Sequence, residues 1–236
     1  MKRDLIPISL NHTMPKEWLD TIVPENLKLL PNCYAKAPFY IKNNAIDKER
    51  LTLIKNELHK AEKLGIIASS KLITSAERNT NIRNTYRMTY SDEVSKLLED
   101  IFKSFMYEVG EFFNLTLLDR SKVQVLGYSK GCFYKRHSDN CSEVVDKDGI
   151  PILFKPVTQD RKITTILFLS TQEVDFSGGE LEFEFIYDSE GKKVKISPQE
   201  GLFLAFPSNP YFSHSVKEVT SGFRISLVKW WNAMVF

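Results

Sequence analysis

Four histidines occur in the 236 residues, and one of them sits in a pattern that can do chemistry. In His137-Ser138-Asp139 an imidazole and a carboxylate stand two residues apart. On an extended segment such residues point to one face, so both can reach one metal ion. His214 supplies a third ligand from a later strand. Two imidazoles and one carboxylate on one face of an ion leave its other positions open. That donor set suits non-haem Fe(II), with a co-substrate and O2 bound side by side. The pattern alone is weak: Asp occurs 12 times here, so four histidines give about 0.2 chance H-x-D matches in such a chain. The other two histidines, His12 in a proline-broken stretch and His59 on the polar side of a helix, read as solvated.

The surrounding residues raise the odds. Tyr128-x-x-Gly131-x-x-Tyr134-x-x-His137-x-Asp139 leads into the pair, and Arg161-x-x-Thr164 opens a long apolar strand. Gly178-Gly179-Glu180-Leu181 and Pro198-x-x-Gly201 follow, and Arg224 stands ten residues after His214, with Ser226 and Trp230 beyond it. A guanidinium is a planar fork that pairs a carboxylate through two parallel hydrogen bonds. On a strand, Arg224, Ser226, Val228 and Trp230 share a face, so an anion site, a hydroxyl and an apolar wall can line one cavity.

On these motifs the chain resembles the Fe(II)- and 2-oxoglutarate-dependent dioxygenases, specifically their prolyl/lysyl hydroxylase-like branch. The resemblance runs from about Phe39 to Trp230 and is tightest from Tyr128 onward. It implies a double-stranded β-helix, or jelly roll, buttressed by N-terminal helices. It implies His137, Asp139 and His214 as iron ligands and Arg224 as the partner of the distal carboxylate of 2-oxoglutarate. Tyr128 matches the tyrosine that donates a hydrogen bond to the co-substrate, and Ser226 fits the R-x-S pattern of many relatives. Arginine at 224, where collagen-type prolyl hydroxylases carry lysine, sets the chain nearer the bacterial-type members. The implied reaction is hydroxylation of an amino-acid side chain, prolyl-type on a peptide or protein, with succinate and CO2 as products and ascorbate as an optional co-reactant. Asp139 fills the carboxylate position that halogenating relatives vacate. A hydroxylase of a free amino acid or small natural product is the first alternative; a non-catalytic jelly-roll binding module is the second.

The elements that must position these residues follow from periodicity. Residues 1–36, broken by Pro7, Pro15, Pro24 and Pro31, read as an irregular extension, and 37–236 as a single dioxygenase domain with its β core at about 120–232. A strand is predicted at 37–41, an amphipathic helix at about 46–64 and a surface loop at 74–83. Ser91-Asp92-Glu93 is a helix start, and the apolar stripe from Val94 to Phe113 predicts one long helix packed on the core. Strands are predicted at 122–128, 131–136, 151–155, 162–170, 180–186, 192–196, 202–206, 213–219 and 222–230, punctuated by glycine and proline. Helices first and many short strands afterwards give a mainly β (α+β) fold. Gly178-Gly179 reads as a turn without a catalytic part. Residues 140–160 suit a lid over the site and a plain hairpin equally.

Composition bounds the rest. A net charge of +2 gives no reason to expect nucleic acid or an anionic membrane as partner, and 42% hydrophobic with 26% charged residues is the balance of a globular protein. No apolar run reaches the length of a membrane span or a signal peptide. Three cysteines, Cys33, Cys132 and Cys141, lack C-x-x-C spacing and point to a reducing, cytoplasmic setting. Cys132 and Cys141 flank the metal segment but read as small buried or loop residues, because thiolate is a soft ligand.

Overall fold

The strand Ile163–Phe168 is buried along its whole length, so both of its faces must be covered. Ile166 and Phe168 point into one apolar cluster, Ile163 and Leu167 into another. The first cluster fills the space between two antiparallel sheets, and the second lies between the larger sheet and the helices. A two-sheet sandwich with helices on one outer face is the result, as the sequence predicts. The computed structural model describes residues 4–19, 23–24, 28–63, 68–69, 82–88, 90–147 and 151–234.

The larger sheet runs Tyr40–Lys42, Phe203–Pro207, Ile163–Phe168, Val219–Met234, Gln124–Ser129, Tyr86–Met88 and Ala68–Ser69, in that spatial order. The smaller sheet runs Leu5–Ser9, His12–Pro15, Leu181–Tyr187, His214–Val216, Phe133–His137 and Arg83–Asn84. Register then fixes which residues meet. His137 stands directly opposite His214, Arg224 opposite Tyr128, and Thr164 opposite Trp230.

The helix Asp92–Ser104 starts where Ser91 accepts a hydrogen bond from the Val94 amide. Instead of one helix to Phe113, the chain breaks at Phe105 and restarts as Met106–Phe113. Ser104 Oγ bonds back to the Ile101 carbonyl, and the Phe105 amide reaches Phe102 in a tighter i→i−3 turn. The break lets Phe105 stack on Phe203 of the sheet, ring centroids 4.4 Å apart. Asn114 ends the second helix in the left-handed conformation.

Three further differences from the sequence reading stand out. Residues 1–36 are not wholly irregular: Leu5–Ser9 and His12–Pro15 pair as a hairpin and join the smaller sheet through Thr13 and Tyr187. Pro7 is tolerated because the strand is an edge with an adjacent bulge, which also hides its period. His12 is not solvated; Ser9 Oγ bonds its Nδ1 and its ring meets the edge of Phe39, so burial pulls its pKa down despite the Lys36 carbonyl. The last strand extends to Val219–Met234, longer than the predicted 222–230. Of the two readings of 140–160, the structure contains the hairpin: Cys141–Val145 pairs with Pro151–Pro156. Phe154 on this hairpin is buried and meets Trp18 edge-on at 5.4 Å. Most of the loop predicted at 74–83 and the side chain of His59 lie outside the described residues.

Candidate active site

His137 ends its strand, Asp139 follows two residues later, and His214 opens the neighbouring strand. The register between those strands brings the two rings to 4.4 Å. Nε2 of His137 lies 3.8 Å from Asp139 Oδ1, and Nε2 of His214 lies 3.8 Å from Asp139 Oδ2. These separations are too long for hydrogen bonds, yet all the ligand atoms fall within 4.8 Å of one another. They leave a gap that a single ion fits.

The orientation of each ligand is set by a second contact. Nδ1 of His137 bonds the Lys135 carbonyl and Nδ1 of His214 bonds the Phe212 carbonyl, both at 2.9 Å. A carbonyl only accepts, so each Nδ1 carries the proton and each Nε2 presents a lone pair. Burial drives the pKa of His137 down to about 3, with His214 adding to the shift against the pull of Asp139. The imidazole is therefore neutral at physiological pH, the form that ligates. Burial alone would raise Asp139, but His214, His137, the Thr164 hydroxyl at 2.7 Å and Arg161 together hold it below the usual carboxylate range. Thr158 Oγ1 and Arg161 Nη1 donate to the Asp139 carbonyl at 3.0 and 3.1 Å, fixing the backbone as well.

Deeper between the sheets lies Arg224, 1% exposed. Its Nε donates to the Gly179 carbonyl at 3.0 Å and its Nη1 to Ser226 Oγ at 3.1 Å. The rings of Tyr128 and Phe168 flank its guanidinium at 4.8 and 5.3 Å. Among the described residues no carboxylate forms an ion pair with it, and burial lowers its pKa. A buried, uncompensated cation is expensive, so the surroundings of Arg224 are chemically incomplete without an anion. The planar fork suits a carboxylate, and the nitrogen and oxygen donors in front of it suit Fe(II). The residues present thus fit both 2-oxoglutarate and the metal.

The structure brings together His137, Asp139 and His214 in one cluster, and Arg224, Tyr128 and Ser226 in another. Three functional contacts escaped sequence reasoning. Arg161-x-x-Thr164, legible only as a strand start, holds Asp139 through the Thr164 hydroxyl on its carboxylate and Arg161 on its carbonyl. Gly179, read only as a turn, gives its carbonyl to Arg224; a Cβ there would lie 3.0 Å from Arg224 Cδ. Tyr134 stacks on His137 at 3.5 Å, which no spacing rule announces.

Comparison with known proteins agrees with this geometry. Residues 123–232 match the family model of the 2OG-Fe(II) oxygenase superfamily. A PKHD-type hydroxylase of Aliarcobacter butzleri is 26% identical over 194 residues, 80% of this chain and 76% of that one. The 2-oxoglutarate and iron-dependent oxygenase domain-containing protein 3 of Xenopus tropicalis is 26% identical over 138 residues, 58% of this chain. The match spans only 40% of that frog protein. The fold is shared with a prolyl hydroxylase of Trichoplax adhaerens, solved with a hypoxia inducible factor peptide fragment, at TM-score 0.62 and 24% identity, covering 82% of this chain and 83% of that one. It is also shared with a Pseudomonas putida prolyl-4-hydroxylase, at TM-score 0.58 and 17% identity, covering 82% and 92%. Residues 123–232 thus carry a likeness to the 2OG-Fe(II) oxygenase superfamily, and the prolyl hydroxylases share the fold.

Proposed function

We propose that this protein hydroxylates an amino-acid side chain, prolyl-type on a peptide or protein, using Fe(II), 2-oxoglutarate and O2. The observation that carries the reading is the pairing of a two-imidazole, one-carboxylate cluster with a buried arginine that has no carboxylate partner among the described residues. When bound, the metal and its co-substrate supply the oxidising chemistry: O2 decarboxylates 2-oxoglutarate to succinate and CO2, and its second oxygen atom enters a substrate C–H bond.

The residues of this chain do the positioning. His137, Asp139 and His214 hold the metal by one face. Arg224, aimed by Gly179 and Ser226, pairs the distal carboxylate of the co-substrate, with Tyr128 beside it. Phe168, Phe206 and Phe183 keep the interior dry, so the oxidising power reaches substrate rather than water. Ascorbate would serve only to restore iron that leaves the ferrous state. The three cysteines are all free thiols, which supports placement in a reducing compartment such as the cytoplasm.

The test is a titration of the purified protein with Mn(II), read by electron paramagnetic resonance, alongside succinate release with Fe(II) and 2-oxoglutarate. One ion per chain and 2-oxoglutarate-dependent succinate are expected. Retention of both in His137→Ala, with an unchanged circular dichroism spectrum, would overturn the assignment.

A further inference from the structure

Two arginines sit on the half-exposed side of the metal cluster, and neither has an ion-pair partner among the described residues. Arg83 lies over the ring of Tyr134 at 4.7 Å, and Tyr134 in turn stacks on His137. Its Nε is held by Thr85 Oγ1 at 2.9 Å. Arg161 lies over Trp230 at 3.8 Å, with Nη1 on the Asp139 carbonyl. Each guanidinium is thus fixed by an aromatic face and one hydrogen bond, leaving other N–H groups free to donate. The indole Nε1 of Trp230, whose ring lies under Arg161, is buried and has no hydrogen-bond partner.

Charge accounting makes this arrangement informative, and it rests on the oxygenase reading. The two charges of Fe(II) and the one of Arg224 are matched by Asp139 and the doubly charged 2-oxoglutarate. Arg83 and Arg161 remain unmatched at the mouth. Desolvating two like charges side by side when substrate closes the site is unfavourable unless the substrate brings an anion.

We infer that the molecule oxidised here carries a carboxylate within a few ångströms of the reacting group, held between Arg83 and Arg161. In a peptide that carboxylate is an Asp or Glu beside the target residue; in a small molecule it is the molecule's own acid group.

The experiment is a retention assay needing no turnover, run with the Mn(II)- and 2-oxoglutarate-loaded protein and a random peptide pool with a central proline. A parallel arm offers amino acids and their amides. Enrichment of Asp or Glu beside the proline by about tenfold over Lys and Arg is expected, fading at high salt. In the second arm, free acids should be retained over amides if the small-molecule source is correct. Arg161→Gln should flatten the preference, and Arg83→Glu should turn it toward Lys and Arg, a reversal that a merely structural role would not produce. Enrichment of neutral or basic molecules by the unaltered protein, or an acidic preference unmoved by both substitutions, overturns the inference. The Fe(II) protein then reports separately through succinate. If succinate fails to form, the oxygenase reading falls, while the retention result still decides the arginine pair.

Discussion

The Gly179 carbonyl accepts the Nε–H of Arg224 at 3.0 Å, while the missing Cβ of Gly179 leaves room for the Arg224 side chain. One residue thereby sets both the direction and the clearance of the cation. The Gly179 φ of +66° adds a second demand for glycine. Gly179→Ala should weaken 2-oxoglutarate binding at least tenfold, about 1.4 kcal/mol. Isothermal titration checks it, with Mn(II) affinity as the control that should stay put.

Arg224→Ala should raise the 2-oxoglutarate requirement far more, since a buried carboxylate then loses its cation at about 3–5 kcal/mol. Arg224→Lys should fall between, because a point charge lacks the fork. An unchanged KM for 2-oxoglutarate in Arg224→Ala would place the anion site elsewhere.

Lys229, on the opposite face of the same strand, is fully buried and ion-paired with Glu99 and with Asp119 at 2.7 Å. Lys229→Ala should destabilise the fold by about 1–3 kcal/mol, measured by urea unfolding, because two partly buried carboxylates lose their shared buried cation. The pH behaviour follows. Burial alone would raise Asp119, but hydrogen bonds from Lys229 and Lys103 bring it below its ordinary 3.8. A depressed carboxylate contributes stability that is complete above its unfolded pKa and lost as pH falls through the folded value. Acid unfolding below about pH 4 should therefore be shallower in Asp119→Asn than in the unaltered protein.

Much of the site was legible before the fold was known. His137 and Asp139 fall together because residues two apart on an extended segment share a face, whereas His214 and Arg224 were pointed to by the family resemblance; the structure sets His214 beside the pair and Arg224 between the rings of Tyr128 and Phe168. Lys229 was not legible: between Val228 and Trp230 it reads as one polar residue on a half-exposed strand, and its partners lie more than a hundred residues away. The kink at Phe105 was hidden for a related reason, since the apolar stripe continues through it and only the docking on Phe203 requires the break. The N-terminal hairpin was missed because two prolines and a bulge erase the alternation that marks a strand.

Phe154→Ala should cost about 3–5 kcal/mol if the hairpin unfolds with the rest, as expected for a buried phenylalanine. Loss confined to the hairpin would show instead as faster amide exchange over 141–156 with an unchanged melting temperature. Mn(II) affinity should hold in either case, because the metal residues are anchored by Lys135, Phe212 and Thr164.

That hairpin leaves and rejoins the body at a single residue. The amides of Val157 and Thr158 both bond the Asn140 carbonyl, and Asn140 Nδ2 bonds the Arg161 carbonyl. The stretch between is therefore a closed excursion whose ends are stitched together independently of its length. Insertions and swaps within it add little to the loop-closure entropy. For a protein engineer the stitch is a graft point: foreign hairpins can be spliced in between Cys141 and Pro156 with Asp139 and Arg161 left in register.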